Sequence, residues 1–422
     1  MDGSPRSARL VVADRSGTVL GITHQRRVDV PWWPETVSVL DAFNDVLREG
    51  AAIVRLLTAE RRSNDRIDGH EASPDTETGW LVTYLAQAAD EVSDSAIAAL
   101  QPCPAAVLEE LLAEASRHRM PWATVGGPAA DAEWASSELR SQGLTPTTPA
   151  RQHKTWNLSS VWEVPHEDGA AWLKTTPSFG RHETEVLRLL HRHPVPRVLA
   201  AEGHRQLLAA LPGIDGFQAT LAERLSIVDA LVDIQLATAD LVDEALTVGI
   251  PDRRTPALAA EVHHRLDKLG SDATRLTADL EDRLGALDRC GLPAVIVHAD
   301  AHPGNARIGV DPPVIFDWSD AFVGNPIWDL RRVIDSADND DRQVCDHWLR
   351  RWADAVPGAD PWLAAELSAP LAPLLAAATY QLFVDEIEPS EHIYHRADVQ
   401  AEIRAAAERT LPERSTGPRL AE

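Results

Sequence analysis

The stretch VIVHADAHPGN, residues 295–305, decides the fold, because three β-forming residues lead directly into a group of polar side chains. Proline and glycine interrupt the chain inside this group and end regular structure there. Loops that a rigid scaffold positions contain a large share of catalytic residues. The polar side chains of this loop are His298, Asp300, His302 and Asn305.

The residues after Asn305 predict an antiparallel hairpin. The segments ARIG and VIFDW are rich in β-forming residues, and the breaker Asp311-Pro312-Pro313 separates them. A turn centred on Asp311 places Asn305 opposite Asp317, with Cβ atoms about 4.5–5.5 Å apart. Together with Asp300, these oxygen-bearing side chains are too few to enclose Ca²⁺. They suit Mg²⁺, which keeps water ligands and takes further ligands from phosphates.

The composition argues against several classes of partner. The formal net charge is −25 and the pI is about 5.0, whereas a nucleic-acid or anionic membrane surface needs clustered lysine and arginine. The sequence shows neither an apolar run of the roughly 20 residues that cross a bilayer nor a signal peptide. We therefore expect a cytoplasmic protein without a nucleic-acid or membrane partner. The three cysteines are scattered, which predicts reduced thiols rather than disulfides or a zinc site.

Residues 1–145 predict a small α/β domain. Two strands around a turn (ARLVVADRSGTVLGI), a segment with helical spacing (PETVSVLDAFNDVLREG) and two more strands (AAIVRLLTAE and GWLVTYLAQ) follow one another. This order is similar to that of Nudix hydrolases, but NDVLREGAAIV lacks the paired glutamates with which those enzymes bind metal. We therefore predict a non-catalytic interaction or lid domain. The Pro- and Thr-rich GLTPTTPARQ after it predicts a linker that lets the remainder fold by itself.

The next segments predict a hairpin and then a helix. WNLSSVWEVP and DGAAWLKTTP are strand-like and are joined by a turn at Asp168-Gly169. They predict a hairpin that continues into a third strand with Lys174, one of three lysines in the chain. In the helix GRHETEVLRLLHRH, Glu183 falls on the apolar, core-facing stripe. A buried carboxylate is costly unless it is paired, so Lys174 is its predicted partner. A solvated glutamate at the helix start is the alternative.

Together these segments resemble the aminoglycoside phosphotransferase and choline kinase-like branch of the protein-kinase fold. The matching stretches occur in the family's order and are AWLKTTP with HETEVLRLL, RQLLAALPG, VHADAHPGNARI and VIFDWSDAFVGNPIWDLRRV. In this template an H-x-D-x-x-x-x-N loop supplies the base and one metal ligand, and a later aspartate supplies the second. The resemblance implies an α+β protein with a bilobal kinase-like fold. A small β-rich N-lobe (residues 150–213) and a helical C-lobe (residues 214–422) would follow the α/β domain.

The resemblance also implies roles for individual residues. Asp300 would be the catalytic base or orient the acceptor hydroxyl, and Asn305 and Asp317 would bind Mg²⁺. Asp329 would brace the catalytic loop, for which a helix cap is the alternative, and His298 is expected to hold the loop backbone. The nucleotide-binding positions are Ser159 and Ser160 over the phosphates, Lys174 at the α- and β-phosphates, Glu183 beside Lys174, and Ala209, Ala210 and Leu211 at the adenine.

Three functions compete for these residues. The resemblance favours an ATP-dependent small-molecule kinase that moves the γ-phosphoryl group to a hydroxyl of an aminoglycoside, sugar or amino alcohol. A pseudokinase-like regulatory protein would bind nucleotide without turnover, but it would not need Asp300. A metallohydrolase built on the H-x-D-x-H of His298, Asp300 and His302 would need at least one more protein ligand. The loop departs from the family at Ala299, where glycine is most common, so its backbone must accommodate a Cβ atom.

The acceptor site is expected in the helical C-lobe. The acidic residues of LFVDEIEPSEHIYH have two interpretations, a solvated surface or a pocket for an ammonium-bearing acceptor. These residues are Asp385, Glu386, Glu388 and Glu391.

Overall fold

The computed structural model divides the chain into two compact units. The described residues are 6–29, 33–62, 79–89, 92–112, 116–334 and 340–410. The first unit spans residues 1–181, 198–210 and 386–394, and the second spans residues 182–197, 211–385 and 395–422. The predicted domain division between residues 145 and 150 therefore lies inside the first unit.

Among the described residues, a mixed five-stranded sheet with five α-helices forms the N-terminal part of the first unit. Its elements are β1 (Arg6–Ala13), β2 (Val19–Ile22), β3 (Arg26–Val28), α1 (Val37–Ala42), α2 (Asn44–Leu47), β4 (Ala52–Arg62), β5 (Gly79–Gln87), α3 (Asp94–Ala98), α4 (Ala105–Leu112) and α5 (Gly127–Ser141). The strand order is β2-β1-β5-β4, and β3 also pairs with β1. Strands β1 and β5 are parallel, and the other pairs are antiparallel. The four strands predicted in this region are confirmed.

A second, antiparallel sheet completes the first unit. Its strands are β6 (Arg151–Trp156), β7 (Ser159–His166), β8 (Gly169–Thr175), β9 (Val198–Glu202) and β10 (Arg205–Ala209), and helix α6 (Glu183–Leu189) lies between β8 and β9 in the chain. The strand order is β6-β7-β8-β10-β9. Strands β7 and β8 form the predicted hairpin, because His166 pairs with Gly169 across its turn.

The two sheets of the first unit share a hydrophobic core. Leu139 of α5 packs in one cluster with Trp162 of β7 and Leu173 of β8, and all three side chains are buried. The Gln152 side chain of β6 bonds both the N–H and the carbonyl group of Ile53 in β4, each at 2.9 Å. This shared core argues against the expectation that the linker lets the kinase-like part fold by itself. Linker composition does not reveal that residues on either side of it pack together.

The second unit is mainly helical, as predicted for the C-lobe, and α6 belongs to it. Its other elements are β11 (Ile214–Asp215), α7 (Leu221–Thr238), α8 (Val242–Thr247), α9 (Thr255–Leu266), α10 (Ser271–Thr277), α11 (Leu280–Asp288), β12 (Val295–Val297), β13 (Ala306–Ile308), β14 (Val314–Ile315), β15 (Phe322–Gly324), α12 (Ile327–Val333), α13 (Asp341–Ala355), α14 (Pro361–Ser368), α15 (Ala372–Glu386) and α16 (Arg396–Thr410). Short sheets β11-β13-β14 and β12-β15 frame the loop that follows β12. Helix α7 begins with a capping box between Thr220 and Glu223.

The structure also bears on two expectations from the sequence, the state of the cysteines and the absence of a membrane-spanning segment. Cys103, Cys290 and Cys345 are free thiols, as their scattered positions predict. In the described part of the chain, no single helix is long and apolar enough to span a membrane. Helices α14 and α15 pass the test of length and composition as a pair, with a bend of 55° between them.

The shared core of the first unit predicts the effect of Leu139→Ala. Truncating this buried leucine removes contacts from both sheets, so the free energy of unfolding should fall by about 2–5 kcal/mol. Chemical denaturation measures the change, and Glu133→Ala on the exposed face of the same helix is the control. An unchanged unfolding midpoint in Leu139→Ala would mean that α5 does not stabilise the second sheet.

Candidate active site

The loop after β12 is held by Asp329, a buried carboxylate in the first turn of α12. One oxygen accepts the Ala299 N–H at 2.6 Å, and the other accepts the His298 N–H at 2.9 Å and the Gln235 side-chain amide at 2.7 Å. Complete burial raises the pKa of Asp329 to about 7, although the backbone bonds from His298 and Ala299 favour the ionised form. The predicted bracing role is confirmed, because each carboxylate oxygen accepts a backbone N–H of the loop.

The loop backbone is strained at Ala299, which has a left-handed φ of 71°. This conformation costs an L-residue with a Cβ atom roughly 1–2 kcal/mol, whereas glycine adopts it freely. The bonds from Asp329 to the amide groups of His298 and Ala299 hold the chain in this conformation. The alanine at this family position is therefore accommodated by its surroundings.

His298 fixes the loop through both nitrogens of its ring. Nε2 donates to the carbonyl oxygen of Phe316 at 2.9 Å, and Nδ1 accepts the Asp300 N–H at 3.2 Å. The ring is fully buried against Trp318, with 4.5 Å between ring centroids, and burial lowers the pKa of His298. A neutral imidazole with both nitrogens engaged matches the expected structural role and argues against a metallohydrolase built on this residue.

Asp300 lies half-buried at the end of this loop, with both carboxylate oxygens engaged. Oδ1 accepts two bonds from the Arg332 guanidinium, from Nε at 2.8 Å and from Nη2 at 2.6 Å. Oδ2 accepts the Asn305 side-chain amide at 3.0 Å, and the His302 ring lies 3.7 Å away. These contacts orient the carboxylate. The sequence reasoning missed Arg332, although its position three residues after Asp329 on α12 places both on one helix face.

Asn305 uses its amide nitrogen to bond Asp300. Nδ2 donates to the Asp300 carbonyl oxygen at 2.9 Å and to its carboxylate at 3.0 Å. Neither bond uses Oδ1, which is the atom that an amide offers to a hard cation. The orientation of Asn305 therefore fits its predicted role as a metal ligand.

The predicted pairing of Asn305 with Asp317 is wrong by one residue. Ala306 pairs with Ile315, and the Phe316 N–H donates to the Asn305 carbonyl at 2.9 Å, so Asn305 lies opposite Phe316. The turn begins at Gly309, which has a φ of 77°. It is therefore centred between residues 310 and 311 rather than on residue 311.

Asp317 lies beyond the end of β14 with a left-handed φ of 66°. Its Oδ1 accepts the Ser319 hydroxyl at 2.9 Å. A residue outside the ladder does not follow the alternation of side chains along a strand. Cross-strand geometry therefore does not support the metal pair, and the assignment of Asp317 to Mg²⁺ rests on the family motif.

Glu183 is buried at the start of α6, with 1% of its surface exposed. Its Oε1 accepts the Trp318 N–H at 3.0 Å, so it fixes the backbone immediately after Asp317. The core-facing prediction is confirmed, and the solvated alternative is excluded. Lys174 is buried in the first unit, and its pairing with Glu183 stays a prediction.

The hydroxyl groups of Ser159 and Ser160 are used inside the first unit. Ser159 accepts the indole N–H of Trp156 at 3.0 Å, and Ser160 accepts that of Trp162 at 2.9 Å. Both serines are buried. Ser160 also donates its hydroxyl to the Lys154 carbonyl at 3.3 Å. The contact of both serines with phosphates stays a prediction.

The predicted linker between the lobes coincides with the boundary of the two units. In this stretch, the first unit ends at Ala210 and the second unit begins at Leu211. Ala209 is the last residue of β10 and is half-buried, as is Leu211. Their contact with adenine stays a prediction.

A cavity of about 110 Å³ in the second unit opens beside Asp300. Its wall combines charged groups of both signs with aromatic rings and includes Arg253, Arg331, Arg332, Asp320, Trp328, Tyr380 and Phe383. The acidic residues of the predicted ammonium pocket are not part of this wall. Asp385 pairs with Arg265 at 2.8 Å, and Glu388 and Glu391 are buried in the first unit. The predicted acidic pocket is therefore not formed in this cavity.

The kinase-like fold and this loop define the chain as a small-molecule phosphotransferase. The profile of the phosphotransferase enzyme family, APH, matches residues 157–383, which is more than half of the chain. The chain belongs to this family. A search of curated proteins found no match.

Solved structures of similar fold include kinases of several small molecules. A choline/ethanolamine kinase family protein from Mesorhizobium loti is 13% identical with a TM-score of 0.51, and the match covers 67% of this chain and 95% of that chain. A macrolide 2′-phosphotransferase from Brachybacterium faecium is 20% identical with a TM-score of 0.48, over 67% and 99% of the two chains. Choline kinase from Streptococcus pneumoniae is 13% identical with a TM-score of 0.48, over 65% and 98%.

The bonds to Asp329 predict that Asp329→Ala disrupts the loop. The substitution leaves the buried amide groups of His298 and Ala299 without acceptors, so the free energy of unfolding should fall by about 3 kcal/mol or more. Chemical denaturation measures the loss, and amide hydrogen exchange of residues 298–300 should accelerate. Normal exchange at these residues would show that other contacts hold the loop.

Proposed function

We propose that the protein transfers the γ-phosphoryl group of ATP to a hydroxyl group of a small molecule, with Asp300 as the carboxylate that accepts or orients the hydroxyl proton. The observation that carries this proposal is the placement of Asp300. Its carboxylate is oriented by Arg332 and Asn305 and lines a cavity of the second unit. A general base must lie within hydrogen-bond reach of its proton, and this cavity gives an acceptor access to it.

Asn305 and Asp317 are the proposed ligands of Mg²⁺. The amide oxygen of Asn305 and the carboxylate of Asp317 are hard oxygen donors of the kind that Mg²⁺ prefers. When bound, the metal neutralises charge on the donor phosphates. On the protein side, Glu183 holds the backbone next to Asp317, and Lys174 is proposed to bind the α- and β-phosphates with Glu183 as its partner.

The regulatory alternative has less support. A protein that binds nucleotide without turnover needs neither an oriented carboxylate at residue 300 nor a cavity beside it. Membership of a phosphotransferase family and the bonds around Asp300 both favour turnover.

Asp300→Asn tests the catalytic assignment. The substitution keeps the shape of the side chain but removes its charge, so turnover should fall by roughly 100-fold or more. Affinity for ATP with Mg²⁺ should change little, because the proposed nucleotide and metal ligands are other residues. Asp317→Asn is the matched control, since it should weaken metal-dependent ATP binding as well as turnover. Near-normal turnover in Asp300→Asn would refute the assignment.

The wall of the cavity predicts which acceptors are used. Its arginines are paired with carboxylates, Arg253 with Glu261, Arg331 with Glu402 and Arg332 with Asp300, so their charges are largely balanced. The rings of Trp328, Tyr380 and Phe383 favour an acceptor with apolar surface. We expect acceptor-dependent ADP formation to be faster with hydroxyl compounds that carry apolar surface than with aminoglycosides, whose polar groups would lose water beside these rings. Coupled ADP assays over matched panels measure this order. Preferential phosphorylation of aminoglycosides would show that the rings do not control selection.

A further inference from the structure

The peptide bond between Trp156 and Asn157 is held at both of its polar groups. It leads from β6 into the turn at residues 157 and 158. The Trp156 carbonyl accepts the indole N–H of Trp122 at 2.8 Å, and the Asn157 N–H donates to Oε2 of Glu391 at 2.5 Å. Both bonds are buried. Because a peptide unit is planar, fixing its C=O and its N–H fixes its orientation.

The two partners come from parts of the first unit that are distant in sequence. Trp122 lies in a short 3₁₀ helix, Pro121–Ala123, of the N-terminal part, which precedes the family match at residue 157. Glu391 lies in a 3₁₀ helix, Pro389–Tyr394, on the connection between α15 and α16. Neither partner belongs to the sheet that contains the turn.

The segment that contains Glu391 is itself tied to its surroundings. Glu388 pairs with Arg119 at 2.9 Å, and both side chains are largely buried. The ring of Tyr394 makes edge contacts with the rings of Trp33 and Trp156, with centroids 5.5 and 5.6 Å apart. The N-terminal part and this segment therefore form one support for the turn.

Burying the carboxylate of Glu391 costs free energy. It is 2% exposed, and burial raises its pKa to about 7. Apolar residues of similar size usually stabilise a core at least as well as buried charges. A bond between a carboxylate and a backbone N–H is directional, however, and apolar packing is not. The carboxylate therefore provides orientation of one peptide unit more than it provides stability.

We propose that Glu391 and Trp122 are positioning residues for the turn at residues 157 and 158. The inference rests on the proposed function and on the family resemblance, which places Ser159 and Ser160, the residues directly after this turn, over the phosphates of the nucleotide. Holding the Trp156–Asn157 peptide presets the backbone N–H groups that follow it, so less order has to be gained when phosphates bind. The N-terminal part of the chain thereby acts on the affinity of the enzyme for ATP.

The test uses the full-length protein and three substitutions. Glu391→Leu removes the acceptor, Trp122→Phe removes the indole N–H but keeps an aromatic ring, and Glu391→Gln keeps one acceptor oxygen. In Glu391→Leu, the Asn157 amide should exchange hydrogen at least about tenfold faster, as expected for losing a charge-assisted bond. The KM for ATP should rise by about tenfold while kcat stays within about twofold. Trp122→Phe should change the same quantities less, and Glu391→Gln should restore most of the lost affinity.

Two substitutions away from this support serve as controls. Trp348→Phe is the same exchange at a buried tryptophan of the second unit, and the Trp348 indole N–H has no hydrogen-bond partner among the described residues. Glu49→Gln removes an exposed carboxylate. Neither control should change the exchange of the Asn157 amide or the KM for ATP.

The outcomes separate this inference from the proposed function. If the wild-type protein turns over ATP but Glu391→Leu has an unchanged or lower KM for ATP, the positioning role is refuted and the proposed function stands. A lower KM would mean that the carboxylate competes with the phosphates for the turn. Unchanged exchange at Asn157 in Glu391→Leu also overturns the inference. Wild-type protein that neither binds ATP in calorimetry nor consumes it with any acceptor overturns the proposed function, and the inference falls with it.

Discussion

The active-site loop depends on the carboxylate of Asp329 and its bonds to two consecutive amide groups. Those amides belong to His298 and to Ala299, and the bonds hold Ala299 in its strained left-handed conformation. The conformation at Ala299 directs the chain into the segment that presents Asp300 and Asn305. Gln235 of the long helix α7 bonds the same carboxylate, so the core of the helical unit fixes the loop.

Two other buried carboxylates act in the same way. Glu183 accepts the backbone N–H that follows Asp317, and Glu391 accepts that of Asn157. In each case a charged group that is costly to bury fixes the direction of a particular peptide unit. Each of these peptide units adjoins a position that the family resemblance assigns to the nucleotide, the metal or the acceptor. Orientation of the backbone explains these residues better than stability does.

Local patterns in the sequence predict much of this arrangement. Alternation and turn residues identify the β7–β8 hairpin, and helical periodicity places Glu183 on the buried face of α6. The loop motif directs attention to Asp300, Asn305 and Asp329. The predicted register of the β13–β14 hairpin is wrong by one residue, because the turn is centred between residues 310 and 311 rather than on residue 311. Register depends on turn geometry, which the strand pattern does not contain.

Contacts between residues far apart in sequence could not be predicted in this way. The packing of α5 on the second sheet and the acceptance of the Asn157 N–H by Glu391 both depend on tertiary structure. The pattern of a single sequence shows the periodicity within a segment, but it does not show which other segment that segment packs against. The sequence therefore left two interpretations of the charged residues near the C-terminal end of α15, a solvated surface or an acceptor pocket. In the structure, Glu388 and Glu391 are instead buried in the first unit.

A crystal structure of the protein with Mn²⁺ in place of Mg²⁺ and a non-hydrolysable ATP analogue tests the account of the loop most directly. Anomalous scattering would locate the metal. The account predicts that Oδ1 of Asn305 and the carboxylate of Asp317 bind it at roughly 2.0–2.2 Å, while Asp329 still accepts the amide groups of His298 and Ala299. A metal bound to the ring of His302, or a loop released from Asp329, would contradict it.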